Sequence, residues 1–312
     1  MRTALTARLL GALSLTLVLI LSCALPAQAA QPPLQVVSSF SILGDLVKQV
    51  GGDAVVVSTL VGPDGDAHVF EPRPVDARRV AQADLVFVNG LNFEGWMARL
   101  VTSSGYRGKV ITASQGVKPR QMKDEHEHGH DHDHDHGNLD PHAWQDLANG
   151  IIYVENIRAA LVAARPEQAE AINARAARYS AQLREMDAFV RNTLARVPAE
   201  KRRIITSHDA FGYFGAAYGV ELLSPQGRST ESEASASDVA ALIRQMKAKQ
   251  VRAVFVENVS NPRMIERIAR EGGGVVGGRL YSDALSSNNE ANTYLKMFQH
   301  NASTLASAML KQ

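Results

Sequence analysis

Apolar residues follow two alternating patterns through most of this chain. Short β-rich runs typical of strands lie at 34–39, 54–61, 85–88, 109–113, 203–207, 253–257 and 274–278. Patterns with helical spacing lie at 42–50, 75–83, 93–104, 210–218, 237–249, 262–271 and about 292–310. Strand and helix alternating at this spacing predict parallel α/β layers.

The pattern changes between residues 145 and 197, where β-rich runs nearly vanish and Ala, Arg, Glu and Leu dominate. This composition predicts helix almost throughout, with Pro166 in the first turn of a second helix, where its missing N–H costs nothing. At about 1.5 Å per residue, a helix over 166–196 would be roughly 45 Å long. A packed helical hairpin, an amphipathic interaction helix and a rigid strut between lobes all fit this pattern.

We therefore predict an α/β protein of two lobes, each with a mainly parallel sheet flanked by helices, on either side of a helical connector; the strut interpretation makes this connector one long rigid helix. The predicted boundaries are 30–165 for the N-terminal lobe, 166–197 for the linker helix and 198–312 for the C-terminal lobe.

The N-terminus predicts where the protein works. Arg2 and Arg8 precede an uncharged, Leu-rich run over 9–21 and the small-residue stretch AQAA. This pattern is typical of a secretory signal peptide over 1–29. A permanent membrane anchor is the weaker interpretation, because the apolar run is shorter than the ~20 residues of a spanning helix. The only cysteine, Cys23, leaves a lipoprotein open as an alternative, although Leu21 is bulky where such signals usually carry a small residue. On the preferred interpretation the mature chain is periplasmic and is held together by its core, not by disulfides.

The charge balance excludes several classes of partner. The chain has 33 basic and 32 acidic residues, and removal of Arg2 and Arg8 with the signal leaves it close to neutral. A neutral chain offers no electrostatic case for nucleic acid or an anionic membrane. We expect a monomer.

Six of the ten histidines occupy every second position of an acidic stretch, DEHEHGHDHDHDHG. The stretch has no apolar surface to bury, so we predict a disordered loop over about 122–138. Its histidines would be weak, exchangeable zinc sites that collect zinc or pass it on: His126, His128, His130, His132, His134 and His136. A solvated loop without a role is the alternative.

The other four histidines have individual settings. His68 lies in the loop GPDGDAHVFEPRP after a strand, and His208 in TSHDAF at the end of the strand RIITS. Ligands of open α/β sheets bind beyond the carboxyl ends of strands, so both lie where a site is expected. His142 lies in LDPHAW, at the entry to the helical region. His300, amid polar residues of the closing helix, is predicted to be a solvated surface residue.

Together with the long helix, the acidic His-rich insertion and YSDAL near the C-terminus, these motifs resemble the metal-specific solute-binding proteins of ABC transporters that import zinc or manganese, the zinc-uptake type in particular. The resemblance covers essentially the whole mature chain. It implies capture of Zn²⁺ in the periplasm and delivery to an ABC permease and its ATPase, and it leaves open a zinc metallochaperone as a further partner. The implied ligands are His68 and His142 from the N-terminal lobe with His208 and Asp283 from the C-terminal lobe.

Three imidazoles and one carboxylate suit tetrahedral Zn²⁺, and manganese-binding relatives carry a carboxylate where this chain has His208. Some zinc-binding members have an acidic residue where this chain has Ala67, so the fourth ligand is Asp283 or a water. Carboxylates that could accept a hydrogen bond from a ligand imidazole are Glu71, Asp140 and Asp209.

A manganese-binding homologue, a secreted zinc hydrolase and a surface metal buffer are the rival functions. Against the hydrolase, the chain has neither a G-x-S-x-G elbow nor a Walker A loop, and four protein ligands leave no position for a catalytic water. We therefore expect a binding protein and not an enzyme.

Overall fold

The computed structural model describes residues 31–121, 139–227 and 229–312. The predicted signal peptide with Cys23, and the histidines from His126 to His136, lie outside these ranges. The interpretations of both segments stay predictions.

The first lobe is built on a four-stranded parallel sheet with the strand order β2-β1-β3-β4. Its strands are β1 (Leu34–Phe40), β2 (Val55–Val61), β3 (Leu85–Val88) and β4 (Lys109–Thr112), and its helices are α1 (Ser41–Gly51), α2 (Pro74–Ala81) and α3 (Met97–Ser104). All of β3 and most of β1 are buried, as expected for inner strands of a parallel sheet covered on both faces.

Two helices follow, α4 (Leu147–Ala164) and α5 (Ala169–Ala195), with a 3₁₀ turn at Pro166–Gln168 between them. They pack against each other as a hairpin. Helix α5, 27 residues long, also contacts both lobes. Arg175 in its first half donates to the Val50 carbonyl at 2.8 Å, and Arg191 in its second half donates to the Ala217 carbonyl at 2.8 Å. Two of the predicted interpretations are therefore true together: α4 and α5 form a packed hairpin, and α5 also connects the two lobes.

The second lobe is also a four-stranded parallel sheet, with the order β6-β5-β7-β8. Its strands are β5 (Arg203–Ile205), β6 (Glu221–Leu223), β7 (Ala253–Glu257) and β8 (Val275–Leu280), and its helices are α6 (Gly212–Tyr218), α7 (Ala236–Ala248), α8 (Pro262–Gly272) and α9 (Tyr294–Leu310). The pattern analysis missed β6, because three residues are too few to show a period.

One apolar core passes through both lobes. It includes Phe40 of β1, Leu183 of α5, Phe255 of β7 and Phe298 of α9. A smaller, separate core lies within the second lobe between its sheet and helices α7 and α8, around Leu242. The lobes are therefore joined by packed apolar surface as well as by α5.

The helix predicted over 93–104 begins only at Met97. The preceding chain is held in turns because the buried Glu94 carboxylate accepts the backbone N–H groups of Asn89 at 2.6 Å and of Gly90 at 3.3 Å. Leu91 and Asn92 adopt positive φ in this turn. A side-chain acceptor thus competes here with helix formation.

Candidate metal centre

The structure brings the four predicted ligands into one buried cluster. Each of the four offers one atom that could bind a metal ion, and these atoms all lie within 4.8 Å of one another: His68, His142, His208 and Asp283. His68 is 7% exposed and the other three are fully buried. His68 follows β2 and His142 follows β4 in the first lobe, whereas His208 and Asp283 follow β5 and β8 in the second lobe. The cluster lies where the two lobes meet.

Asp283 lies among the three imidazoles. Its Oδ2 is 3.0 Å from His208 Nε2 and 3.3 Å from His68 Nε2, and its Oδ1 is 3.7 Å from His142 Nε2. A tetrahedral ion with bonds of about 2.0–2.1 Å separates its donors by roughly 3.3 Å, so these spacings suit one small cation. His68 Nε2, His142 Nε2 and Asp283 Oδ1 are buried without a hydrogen-bond partner among the described residues. Such atoms cost free energy unless a ligand satisfies them.

The two first-lobe histidines are presented by the same local device, an aspartate two residues earlier. Asp140 Oδ1 accepts the backbone N–H of His142 at 3.0 Å, and Asp66 Oδ1 accepts that of His68 at 2.9 Å. Each contact closes an Asx-turn, which fixes the backbone that carries the imidazole.

Asp140, one of the three carboxylates predicted to face a ligand imidazole, also reaches the ring. Its Oδ1 lies 2.8 Å from His142 Nδ1, while the Arg120 guanidinium lies 4.0 Å from Oδ2. With Nδ1–H donating to Asp140, His142 Nε2 keeps its lone pair for a metal.

Glu71 and Asp209 are placed differently from Asp140. Glu71 is exposed, and Asp209 is half-buried, with its backbone N–H donating to the Gly227 carbonyl. Burial, and next the Asp140 carboxylate, raises the pKa of Asp209. The carboxylate beside the His208 ring is instead Glu257, which the sequence analysis did not single out, with Oε2 2.7 Å from His208 Nδ1.

His300 is not the solvated residue that the sequence suggested. Its side chain is 17% exposed, its Nε2 lies 2.9 Å from the Arg279 carbonyl, and its ring packs edge-on against Tyr281. It lies outside the four-residue cluster. Its polar neighbours in sequence gave no sign of these contacts, because they are made with Arg279 in β8 and with Tyr281 directly after that strand.

Aromatic rings surround the first-lobe side of the cluster. Phe93 packs against His68 at 4.8 Å between ring centroids, and Trp144 packs against His142 at 5.3 Å. Phe93 and Trp144 also contact each other, at 4.7 Å. These edge-on contacts fix the orientation of the imidazoles and exclude water.

The second-lobe loop that carries Asp283 is held by groups of the first lobe. The Ser282 carbonyl accepts from Trp144 Nε1 at 2.9 Å and from Gln145 Nε2 at 2.7 Å, and the Leu285 N–H donates to Ser41 Oγ at 2.9 Å. The cluster is therefore assembled by contacts that cross between the lobes.

A second crossing connects the His68 loop to the other lobe. Asp66 Oδ2 accepts from Thr230 Oγ1 at 2.6 Å, and Asp64 accepts from the Ser287 backbone and hydroxyl at 2.9 and 2.6 Å and from Asn258 Nδ2 at 3.1 Å. We call Asp64 and Asp66, with these partners, the cross-lobe latch.

The electrostatics of the cluster favour exchange of a proton for a cation. Burial opposes charge on His208, but the Glu257 and Asp283 carboxylates outweigh it and raise the pKa of His208 well above its ordinary 6.5. Burial likewise opposes charge on Asp283, but His208 and His142 hold the pKa of Asp283 well below its ordinary 3.8. His208 thus lies between two carboxylates, a position that favours a positive charge, whether that of a proton or that of a metal cation.

Comparison with known proteins gives one consistent result. Residues 36–308 match the family described as ZnuA, zinc-uptake complex component A, periplasmic. The manganese-binding lipoprotein MntA of Bacillus subtilis is 31% identical over 288 residues, which cover 90% of this chain and 92% of MntA. The solved structure of the periplasmic zinc-binding protein TroA from Treponema pallidum has a TM-score of 0.81 at 30% identity, covering 89% of this chain and 99% of TroA. The Mn-bound periplasmic metal-binding protein of Candidatus Liberibacter asiaticus has a TM-score of 0.77 at 30% identity, covering 88% and 98%.

Proposed function

The chain belongs to the ZnuA family of periplasmic metal-binding components of ABC importers, and from that premise we propose that its cargo is Zn²⁺. Proteins of this family bind a metal ion and serve a membrane permease with its ATPase; they are not enzymes, which removes the zinc hydrolase from consideration. The choice of metal is the open question, because relatives are named for manganese as well as for zinc.

The observation that carries the zinc proposal is the donor set of the cluster. Three Nε2 atoms and one carboxylate surround a single space, and imidazole nitrogen at three of four positions suits tetrahedral Zn²⁺. Mn²⁺ prefers more oxygen ligands and a higher coordination number. The other carboxylates near the cluster, Asp140 and Glu257, face the Nδ1 side of their histidines, so they do not add oxygen to the set.

Manganese is the second candidate, and the names of the relatives are what favour it. MntA of Bacillus subtilis and PsaA of Streptococcus pneumoniae are both described as manganese proteins. Under this alternative, Asp283 would bind through both oxygens and water would complete the coordination.

We propose that the protein binds its metal ion and delivers it without catalysing a reaction. Ionised Asp283 and three imidazoles replace the hydration shell of the ion, and the loaded protein then docks, as a monomer, on the permease. The contacts that cross between the lobes hold the loops of His68 and Asp283 together beside the cluster. Release then requires these loops to separate, while the shared core and α5 keep the lobes together.

The test of zinc over manganese compares affinities in one protein. Competition with chelators of known affinity measures the dissociation constants of Zn²⁺ and Mn²⁺ for the mature chain. We expect tighter binding of Zn²⁺ by at least about 100-fold, and we expect His208→Glu to reduce this ratio by adding an oxygen donor. His300→Gln, a histidine substitution outside the cluster, should leave the ratio unchanged. Equal or tighter Mn²⁺ binding by the wild-type chain would establish the alternative.

The role proposed for the alternating histidines has its own test. We propose that they are weak auxiliary zinc sites, separate from the cluster. Deletion of residues 125–137 should leave one tight site and lower the total zinc bound, measured by equilibrium dialysis. Loss of the tight site on deletion would show that the segment belongs to it.

The proposed location is also open to measurement. We propose that the signal peptide is removed before Ala30 and that the mature chain is periplasmic. Mass spectrometry of the mature N-terminus would detect a chain beginning at Ala30, whereas a lipid-modified Cys23 would establish a lipoprotein, as MntA is named.

A further inference from the structure

Glu257 makes three contacts to the segment that carries the ligand His208. It is the last residue of β7 and is 1% exposed. Its Oε1 accepts the backbone N–H groups of Ser207 at 2.7 Å and His208 at 2.9 Å, and its Oε2 lies 2.7 Å from His208 Nδ1. One side chain therefore holds both the backbone and the ring of a residue 49 positions earlier in the chain.

We infer that Glu257 is a positioning residue that sets the tautomer of His208, so that its Nε2 has a free lone pair for the metal. A carboxylate oxygen 2.7 Å from a ring nitrogen without a proton would face its lone pair, so we place the proton on Nδ1. A neutral imidazole protonated at Nδ1 has its lone pair on Nε2, the atom that points at Asp283. The inference rests on the cluster being the cargo site but not on which metal the cargo is.

Asp140 and Glu257 share this task but divide it differently between their oxygens. In Asp140, the single atom Oδ1 contacts both the backbone N–H and the ring Nδ1 of His142. In Glu257, the backbone contacts are made by Oε1 and the ring contact by Oε2. The amide counterparts of the two residues should therefore behave differently, although each replaces one oxygen with NH₂ and removes one buried negative charge.

Asp140→Asn can keep both contacts. The amide oxygen takes the place of Oδ1, and the NH₂ group takes the place of Oδ2, beside the 41% exposed Arg120 side chain, which can move away. The tautomer of His142 is unchanged. We expect the metal dissociation constant to rise by about 10-fold or less, the lower end for a residue that supports a ligand.

Glu257→Gln cannot keep all of its contacts. With the amide oxygen accepting from Ser207 and His208, the NH₂ group faces His208 Nδ1 and forces the ring proton onto Nε2, the metal-binding atom. With the amide reversed, NH₂ faces two backbone N–H donors. Either arrangement opposes metal binding, so we expect the dissociation constant to rise by about 100-fold.

The test measures Zn²⁺ and Mn²⁺ affinities of the wild-type chain, Glu257→Gln and Asp140→Asn by chelator competition, with far-UV circular dichroism to establish folding. The Co²⁺ absorption spectrum of each variant reports the coordination geometry. A loss at Glu257→Gln at least about 10 times that at Asp140→Asn supports the inference; equal losses would reduce both residues to an electrostatic role, and a near wild-type Glu257→Gln would overturn it.

A measurement on the wild-type protein keeps the inference testable if Glu257→Gln does not fold. Long-range ¹H–¹⁵N spectra of the zinc-loaded chain distinguish protonated from metal-bound ring nitrogens. We expect His208 protonated at Nδ1 and metal-bound at Nε2; binding through Nδ1 would overturn the inference. Failure of the zinc proposal is read separately, from the Zn²⁺ to Mn²⁺ ratio of the wild-type chain, whereas the effect of Glu257 is read from each variant relative to wild type for the same metal.

Discussion

The two lobes contribute different chemistry to the same metal centre. The first lobe supplies His68 and His142 against the rings of Phe93 and Trp144, and Asp140, the carboxylate beside the His142 ring, is partly offset by Arg120. The second lobe supplies His208 with two buried carboxylates, Asp283 and Glu257.

The two lobes therefore affect different properties of the metal centre: the orientation of its ligands and its net charge. Aromatic contacts orient imidazoles without changing the charge of the site, whereas buried carboxylates balance the two positive charges of the cargo. We infer that the first lobe mainly determines the geometry of binding and that the second lobe mainly determines its strength.

The largest effect should come from removing charge on the second-lobe side. Asp283→Asn leaves His208 and the cation with one counter-charge fewer, and breaking one partner of a buried charged set costs ~3–5 kcal/mol, or at least about 100-fold in the dissociation constant. His68→Asn should cost less, because it replaces a neutral donor and removes no counter-charge. Chelator competition measures both, and a greater loss at His68 would refute the division of roles.

The next effect is that of pH, through the second-lobe pair. His208, whose pKa is raised, stabilises the metal-free fold fully below 6.5, and this contribution disappears as the pH rises through its folded value. Asp283, whose pKa is lowered, stabilises the fold above 3.8, and this contribution disappears as the pH falls through its folded value. In urea, the free energy of unfolding of the metal-free protein should therefore be highest between pH 3.8 and 6.5 and should decrease on either side of this range.

Metal binding competes with the proton on His208, whose pKa is raised by the Glu257 and Asp283 carboxylates against the effect of burial, so affinity should weaken as the pH falls and binding should release a proton. Calorimetry in two buffers of different ionisation enthalpy counts that proton. The variant His208→Gln is the control, and unchanged proton release in it would assign the proton to another group.

A moderate effect is expected at the cross-lobe latch. Asp66→Asn weakens a charge-assisted hydrogen bond to Thr230 while the amide oxygen can still close the Asx-turn at His68. A bond of this kind contributes about 1.5–3 kcal/mol at most, so metal release should accelerate by roughly 10-fold. Stopped-flow transfer of zinc to a chelator measures the rate. Thr230→Val removes the same bond from the other lobe and should match it; acceleration by Asp66→Asn alone would assign the effect to the turn.

The smallest effect on binding should follow a change in the aromatic contacts. Phe93→Leu removes ring contacts to His68 and Trp144 and should lower the free energy of unfolding by about 1–3 kcal/mol. Because no charge is lost, the zinc dissociation constant should change by less than about 3-fold. Thermal melts and chelator competition on the same samples separate the two quantities. A large loss of affinity with little loss of stability would place binding strength on the first-lobe side after all.

The sequence predicted the layers of this fold well because strand and helix periods are local. The run LVFV coincides with β3 and AVFVE with β7. The sequence analysis missed β6, whose three residues are too few to show a period. It also placed the start of α3 too early, because the buried Glu94 holds the preceding chain in turns.

The supporting carboxylates were harder to predict than the four cluster residues. Asp209 and Glu71 were chosen for closeness in sequence to a histidine, yet Glu71 is exposed and the carboxylate beside the His208 ring is Glu257. Glu257 ends β7, and β7 pairs with β5, which leads to His208. Because neighbouring parallel strands end at the same edge, a carboxylate ending a strand was the signal available for Glu257.

The Asx-turns were a second missed signal. Asp66 and Asp140 each stand two residues before a cluster histidine, in the pattern D-x-H. The spacing of aspartate and histidine alone was enough to suggest a backbone hydrogen bond at both.

The apolar core that passes through both lobes has a consequence for how this protein unfolds. Two sheets would ordinarily suggest two melting transitions, but side chains from both are packed into one core with α5 and α9, so the lobes should lose structure in a single cooperative step. The separate cluster around Leu242 should be the exception. Amides of α7 and α8 are expected to exchange hydrogen for deuterium through partial opening, while those of α5 exchange only on global unfolding.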